Sequence, residues 1–235
     1  MLIWLMEYLP NGFTLKIPAG SFPLSTDSMA LAHFARLPRN ARVLDLGSGC
    51  GTLGLLLCAS HRNCHVTGIE LDPAAHETAL ENILCNDLVS RMESICGDLR
   101  ILSEKIPPGS FSAVISNPPY FSGGGVSRQL PEARQEITCT LSELIQAAAR
   151  QLKFGGDFFL VHKPERLGEI LSLGGQNRLE AKRLLLLRHR EAGPISLILL
   201  QLRKGAKPGL NIEEAALFDK EGNPTAYHKA VYHMD

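Results

Sequence analysis

Val43-Leu44-Asp45-Leu46-Gly47-Ser48-Gly49-Cys50-Gly51-Thr52 sets a short apolar run and one carboxylate in front of a turn crowded with glycine. The apolar run reads as a strand stopped at Gly47, and Thr52 to Ala59 reads as a helix. Glycines allow positive φ and let a ligand approach the backbone with no Cβ in the way. Glu70 follows nineteen residues after Gly51, at the end of the next strand-like run, where a carboxylate can accept from two vicinal ribose hydroxyls. Gly49, Gly51 and Gly54 also satisfy the dinucleotide spacing G-x-G-x-x-G, so a nicotinamide dehydrogenase is an open alternative at this point. Asp45 favours another ligand. It sits inside the strand, where it would receive a positively charged amino-acid portion, and a pyrophosphate gains nothing from it. Gly97-Asp98 closes the third strand, and Asp98 is either an acceptor for an adenine amino group or a turn and helix-cap aspartate.

Outward from this loop the chain alternates strands and helices. Strands are expected at Val43–Leu46, Val66–Ile69, Met92–Cys96, Ala113–Ser116 and Phe158–Val161. Helices are expected at Thr52–Ala59, Pro73–Asn86 with proline in its first turn, Leu141–Leu152 ended by Gly155-Gly156, and Arg166–Leu173. Lys182–Arg188 and Ser196–Leu202 then follow one another with only a Gly193-Pro194 turn between them, so they pair as an antiparallel hairpin. The pattern predicts an α/β fold: a doubly wound, mostly parallel sheet of seven strands with an antiparallel closing hairpin. Residues 1–37 read as an N-terminal extension packed on the 38–235 domain. The extension is a hairpin (Glu7–Leu9, a Pro10-Asn11-Gly12 turn, Phe13–Ile17) and a helix through Leu37 capped by Ser25, Thr26 or Asp27.

Composition sets the outer bounds. No apolar run approaches the ~20 residues of a membrane span, and Met1 to Pro10 lacks the basic start of a signal peptide. Six scattered cysteines without a C-x-x-C pair argue against structural disulfides and zinc, and fit a reducing cytoplasm. The formal net charge is zero, but residues 1–100 hold 7 Lys+Arg against 10 Asp+Glu, and residues 151–207 hold 11 against 5. That basic C-terminal stretch is either a phosphate-binding face or solvated charge. Arg178, Lys182, Arg183, Arg188 and Arg190 are its candidates for phosphate contacts, although neighbours along a strand face opposite sides.

Ser116-Asn117-Pro118-Pro119-Tyr120 ends the fourth strand, which lies beside the first in a doubly wound sheet and so opens on the same cleft. The lone pair of an exocyclic adenine amine is delocalised into its ring. The Asn117 side-chain oxygen and the Pro118 carbonyl could each accept one N–H of such an amine. That would orient it for in-line attack on a sulfonium methyl and place acceptors where positive charge develops. Tyr120 offers a stacking face for the base, worth about 1–3 kcal/mol.

With these motifs together, the sequence resembles the bacterial valine-tRNA adenine-N6 methyltransferases, within the small-domain, NPPY-type methyltransferases. Phe22-Pro23-Leu24-Ser25-Thr26-Asp27-Ser28-Met29-Ala30-Leu31-Ala32 is similar to that family's F-x-x-S-T-D-x-x-L-L-A signature. Ala133-Arg134-Gln135-Glu136 is similar to its A-R-x-E, and Leu210-Asn211-Ile212 through Gly222 to its closing hairpin. Gly123-Gly124-Gly125 departs from the pattern. The resemblance implies a Rossmann-like fold, S-adenosylmethionine as cofactor, and an RNA substrate, a tRNA in particular. It implies cofactor contacts from Ser25, Thr26, Asp45, Gly47, Gly49, Glu70, Leu71, Asp98 and Asn117, and presentation of the target amine by Asn117, Pro118 and Tyr120. The same tetrapeptide occurs in enzymes acting on a glutamine amide or on guanine N2, which remain alternatives. A protein that binds cofactor or RNA without catalysis is another. Cys50 reads as a packing residue, Cys139 lacks a Pro-Cys context, Trp4 reads as an anchor for the hairpin, and His228 and His233 as surface residues without metal-ligand spacing.

Overall fold

The computed structural model describes residues 4–9, 12–18, 24–104, 106–119 and 139–233. Trp4–Tyr8 (β1) and Thr14–Pro18 (β2) form a separate two-stranded antiparallel sheet. Thr26–Phe34 (α1) leads into the main sheet, whose first half is Arg42–Leu46 (β3), Thr52–Ser60 (α2), His65–Glu70 (β4), Pro73–Cys85 (α3) and Met92–Cys96 (β5). A 3-10 segment at Leu99–Glu104 precedes Phe111–Ser116 (β6). The second half is Leu141–Gln151 (α4), Leu152–His162 (β7), Leu167–Gln176 (α5), Leu179–Arg190 (β8), Ile195–Lys204 (β9), Asn211–Phe218 (β10) and Ala226–Tyr232 (α6).

The large sheet runs β10-β8-β9-β7-β6-β3-β4-β5. Pairing is parallel from β5 through β7, and β9 alone runs against its neighbours, as the expected hairpin partner of β8. The sheet has eight strands where seven were expected, because Asn211–Phe218 joins as a parallel partner of β8 rather than as a closing hairpin. Its Ile-Glu-Glu-Ala-Ala pattern lacks apolar alternation, since an edge strand leaves much of its length in solvent.

Successive residues of the central strands feed opposite faces, as strand geometry requires. Val43, Ala113, Ile115, Phe159 and Val161 pack with α1, α2 and the N-terminal hairpin. Leu44, Leu46, Val114, Phe158 and Leu160 pack with α4 and α5. Truncating Phe158 or Phe159, both fully buried, to alanine would cost about 3–5 kcal/mol.

Some boundaries moved for local reasons. α1 stops at Phe34 rather than Leu37: its C-cap Ala35 is already extended at ψ 109°, and Pro38 holds Leu37 out of helical geometry beyond it. β7 begins immediately after α4. Its first residues form a bulge, since the register with β6 jumps from Phe111↔Leu152 to Ala113↔Asp157. The Gly155-Gly156 pair lies inside that bulge, with Gly155 at φ +77°, so it bends a strand instead of ending a helix.

The hairpin is held by a device the sequence did not advertise. Asn82, fully buried on α3, accepts from the Lys16 N–H at 2.8 Å and donates to the Lys16 carbonyl at 3.0 Å. One turn later Asn86 does the same for Thr14, at 2.8 Å in both directions. Two side-chain amides thus stand in for a neighbouring strand along β2. Asn82 also donates to the Cys50 carbonyl at 2.9 Å, tying the hairpin to the glycine loop.

Candidate active site

The carboxyl ends of β3, β4 and β6 meet at one edge of the sheet. Gly47, Gly49 and Gly51 turn the chain out of β3 at φ of +74°, +55° and +88°, a run of positive values that glycine adopts at no steric cost. Nothing lies within 4 Å of where a Cβ on Gly47 or Gly49 would stand, so the outer side of the loop is open. Gly54 serves another purpose: a Cβ there would lie 2.4 Å from the Met92 Cε, so this glycine lets α2 pack closely on the sheet. The Cys50 thiol is half-buried with its pKa pushed up by that burial, which suits packing and not nucleophilic attack.

Glu70 braces the loop. It accepts from the Gly49 N–H at 2.7 Å and the Asp72 N–H at 2.9 Å. A carboxylate offers about four acceptor positions, so both oxygens retain capacity. Leu71 beside it is 46% exposed. Asp45 is 1% exposed, and neither of its oxygens has a hydrogen-bond partner among the described residues. Burial, and then the charge of Glu70, push its carboxyl up to about 8. The free protein therefore keeps Asp45 protonated through neutral pH. Between the ordinary carboxylate range and about pH 8 the folded chain holds a proton that the unfolded chain has lost. Fold stability attributable to Asp45 therefore falls as pH rises across that window.

Asn117 follows β6, whose last hydroxyl, on Ser116, donates to the Leu46 carbonyl at 2.7 Å and stitches the two strand ends together. The Asn117 Nδ2 donates to the Ser28 Oγ at 3.0 Å. Ser28 is buried in the first turn of α1, and Ser25 caps that helix by accepting from the Ser28 N–H at 3.2 Å. The amide nitrogen is thus engaged, and among the described residues nothing donates to the Asn117 Oδ1, which is left as an acceptor. Pro118 is buried beside it. Tyr120, Gly123-Gly124-Gly125 and Ala133-Arg134-Gln135-Glu136 lie outside the described residues, as does the Trp4 side chain.

Two expected residues are already occupied. The Asp98 carboxylate, at the end of β5, is gripped by Arg100 through Nε at 2.9 Å to both oxygens, and that ion pair holds its pKa down. The Thr26 hydroxyl is 2.8 Å from the Tyr232 Oη. That contact comes from α6, a helix the sequence reading missed although Thr225 caps it by accepting from the His228 N–H. His228, read as a surface residue, is half-buried and stacks on Tyr232 with ring centroids 4.5 Å apart. His162 was also missed. It is fully buried at the end of β7, one strand over from Asn117, and burial first, then Arg166, hold its pKa down to about 4.

The phosphate-contact candidates do not form one face. Arg183 lies over the Phe34 ring at 4.2 Å, donates to the Phe34 carbonyl at 3.2 Å and reaches Glu213 at 3.5 Å. Arg188 donates to the Gly193 carbonyl at 2.7 Å and pairs with Glu214 at 3.4 Å. Both arginines fasten β8 to its surroundings. Arg178 and Lys182 stand toward the opposite end of β8 from Arg190, roughly 40 Å and 26 Å of strand away.

A cavity of about 390 Å³ lies elsewhere, lined by Met29, His33, Ala35, Arg36, His61 and His233 among others. The caps ending α1, α2 and α6 (Ala35, His61 and His233) all line it. Three negative helix ends converge there, with Arg36 as the cation that offsets them, since burial lowers the pKa of His33 and His61. It is a packing seam at the other end of α1 and α2 from the glycine loop.

Against known proteins, the family model described as methyltransferase small domain matches residues 25–171. A tRNA1(Val) (adenine(37)-N6)-methyltransferase of Photobacterium profundum is 27% identical over 95% of this chain and 97% of its own length. One from Aliivibrio salmonicida is 34% identical over 51% of this chain and 52% of its own. Among solved structures, a predicted O-methyltransferase from Agrobacterium tumefaciens superposes with TM-score 0.74 at 22% identity, covering 88% of this chain and 96% of that one. The T. thermophilus 16S rRNA N2 G1207 methyltransferase, solved with AdoMet and guanosine, gives 0.61 at 22% identity over 87% and 51%.

Proposed function

The chain belongs to the methyltransferase small-domain family, and from that premise we propose that it transfers a methyl group from S-adenosylmethionine to N6 of an adenine in tRNA. The observation that carries this reading is the Asn117 amide, fixed by Ser28 through its nitrogen with its oxygen left to accept, at a strand end stitched to the glycine loop.

The loop suits the cofactor. Asp45 offers two buried oxygens without partners to an ammonium group, Glu70 keeps acceptor capacity for ribose hydroxyls, and open space fronts Gly47 and Gly49. Leu71 gives an apolar face to a purine. Ser25 and Thr26 stand at the N-terminus of α1, whose first N–H groups suit a carboxylate. Asp98 takes the adenine amino group only if it shares its oxygens with Arg100. When bound, S-adenosylmethionine supplies an electrophilic methyl on a positively charged sulfur.

The chain's own residues would do the rest. Asn117 Oδ1 and the Pro118 carbonyl accept the two N–H bonds of the target amine and turn its lone pair toward the glycine loop. The same acceptors stabilise the positive charge that grows on nitrogen. Tyr120 supplies the stacking face for a base taken out of its stack. The test is transfer of labelled methyl to total RNA from cells lacking this gene, followed by nucleoside mass spectrometry. N6-methyladenosine in the tRNA fraction is the expected product. Label confined to protein would overturn the reading in favour of a glutamine amide, and N2-methylguanosine in favour of guanine.

A further inference from the structure

The end of the sheet away from the glycine loop carries an aromatic ring in a field of unpaired cations. Phe154 is 77% exposed, although its position is tightly specified. It sits on the bulge that opens β7, between the register pairs Phe111↔Leu152 and Ala113↔Asp157. One face of its ring lies against Gly205, where a Cβ would fall 2.1 Å from the ring carbons. Gly205, at φ +71°, is bonded to Arg178 through a 2.8 Å backbone hydrogen bond. The ring is therefore laid flat on a glycine backbone with its other face turned to solvent.

Five cations are tied to this corner: Lys153 precedes Phe154, Lys204 precedes Gly205, Arg178 bonds Gly205 through its backbone, and Lys207, two residues past Gly205, is met by Lys182. Lys204 pairs with Leu179 in the ladder and donates to the Leu152 carbonyl at 2.8 Å. Lys182 donates to the Lys207 carbonyl at 3.1 Å. Among the described residues none of these five has a carboxylate within ion-pair distance. The nearby acids belong to another group. Asp157 is spent on Arg203 at 2.8 Å, and Glu180 is opposite Arg203 in the register, on the face of the sheet away from Lys204. Burial and the neighbouring Arg178 charge lower the pKa of Lys204, a sign of like charges held together. In a chain of zero net charge, unneutralised cations gathered around a presented aromatic face point to a polyanion with flat groups to stack.

We infer that this surface is a second contact for the RNA substrate, taking backbone phosphates on the cations and one unpaired base on Phe154. The inference rests on the reading of this chain as an RNA methyltransferase, and adds how the RNA is held. From Lys204 to Ile195 at the cleft edge, β9 spans roughly 30 Å. The patch therefore meets a part of the folded RNA remote from the target base and acts on binding alone. An anionic membrane is the competing partner, but one flat-lying ring offers little apolar area for insertion.

The test combines methyl-transfer kinetics on tRNA with direct RNA binding by fluorescence anisotropy, for the wild type, F154A and the pair K153Q/R178N. Asn suits the left-handed backbone of Arg178 (φ +59°), and all three side chains are exposed, so the fold should be kept. Both variants should raise the KM and the RNA Kd by about five- to fifty-fold with kcat and cofactor affinity unchanged. K153Q/R178N should also flatten the salt dependence by roughly 0.7–0.9 per lost phosphate contact. If the wild type methylates tRNA and both variants match it in KM and Kd, the surface is not an RNA contact and the functional reading stands. If the wild type neither binds nor methylates RNA, both fall. Loss of binding to phosphatidylserine vesicles with RNA binding intact would make the surface a membrane face and overturn the inference.

Discussion

Two regions of this molecule carry equally conspicuous side chains, and they spend them in opposite ways. At the ends of β3, β4 and β6 the polar groups are left over. Among the described residues Asp45 is buried with both oxygens unpartnered, and Asn117 is anchored by its nitrogen with no donor on its oxygen. Along β8 two of the three arginines are used up. Arg183 and Arg188 fasten the strand to Phe34, Gly193 and the glutamates of β10. A buried polar group without a partner costs stability, and Asp45 is kept in that state at a strand end, where a ligand would meet it. A charge consumed by its own neighbours signals construction. Between these two regions the availability of a group, more than its type, separates site from scaffold.

The comparison breaks most easily at Asn117. N117A should lower kcat by about 10²–10³, the usual scale for losing an acceptor or donor aimed at developing charge, with cofactor Kd within a few-fold by calorimetry. Turnover near the wild-type level would remove Asn117 from the chemistry. S28A sharpens the claim. The Asn117 amide would lose its anchor, so kcat should drop about tenfold with KM little changed, and Ser28→Thr should restore most of it. A loss confined to KM would mean that Ser28 acts on binding and not on the amide's orientation. The smallest effect on function is expected at Arg183. R183Q removes a ring contact worth about 0.5–2 kcal/mol and should lower Tm by a few degrees while leaving the salt dependence of RNA binding untouched. A flattened salt slope there would return Arg183 to the RNA face.

Much of this was legible in the chain. The alternation of apolar runs with helix signals placed seven strands correctly, because buried strands and proline-started helices leave strong local marks. β10 was reached only by resemblance, as a closing hairpin, and its parallel pairing with β8 was missed because an edge strand needs no apolar stripe; α6 was missed because seven residues carry little periodicity beyond the Thr225 cap. Within the site, Asp45, Gly47, Gly49, Glu70 and Asn117 converge as their positions at strand ends foretold. Contacts made across the fold were invisible. Nothing local announces that Ser28 meets Asn117 eighty-nine residues away, that Tyr232 occupies Thr26, or that Asn82 joins the hairpin to the glycine loop. The basic stretch could not be sorted for the same reason, since a run of cations does not reveal which of them, like Arg183 and Arg188, are taken up by partners.

Asp45 gives the most direct test of the idea that leftover polar groups define the site. With its carboxyl pushed up to about 8, pairing with the ammonium of S-adenosylmethionine requires losing a proton. Affinity should therefore rise with pH toward about 8, approaching tenfold per unit below that. Calorimetric titration at pH 7, in buffers of different ionisation enthalpy, should show close to one proton released per cofactor bound, and D45N should bind more weakly and release none. Tight binding by the wild type with no proton released, or unchanged binding by D45N, would contradict the account.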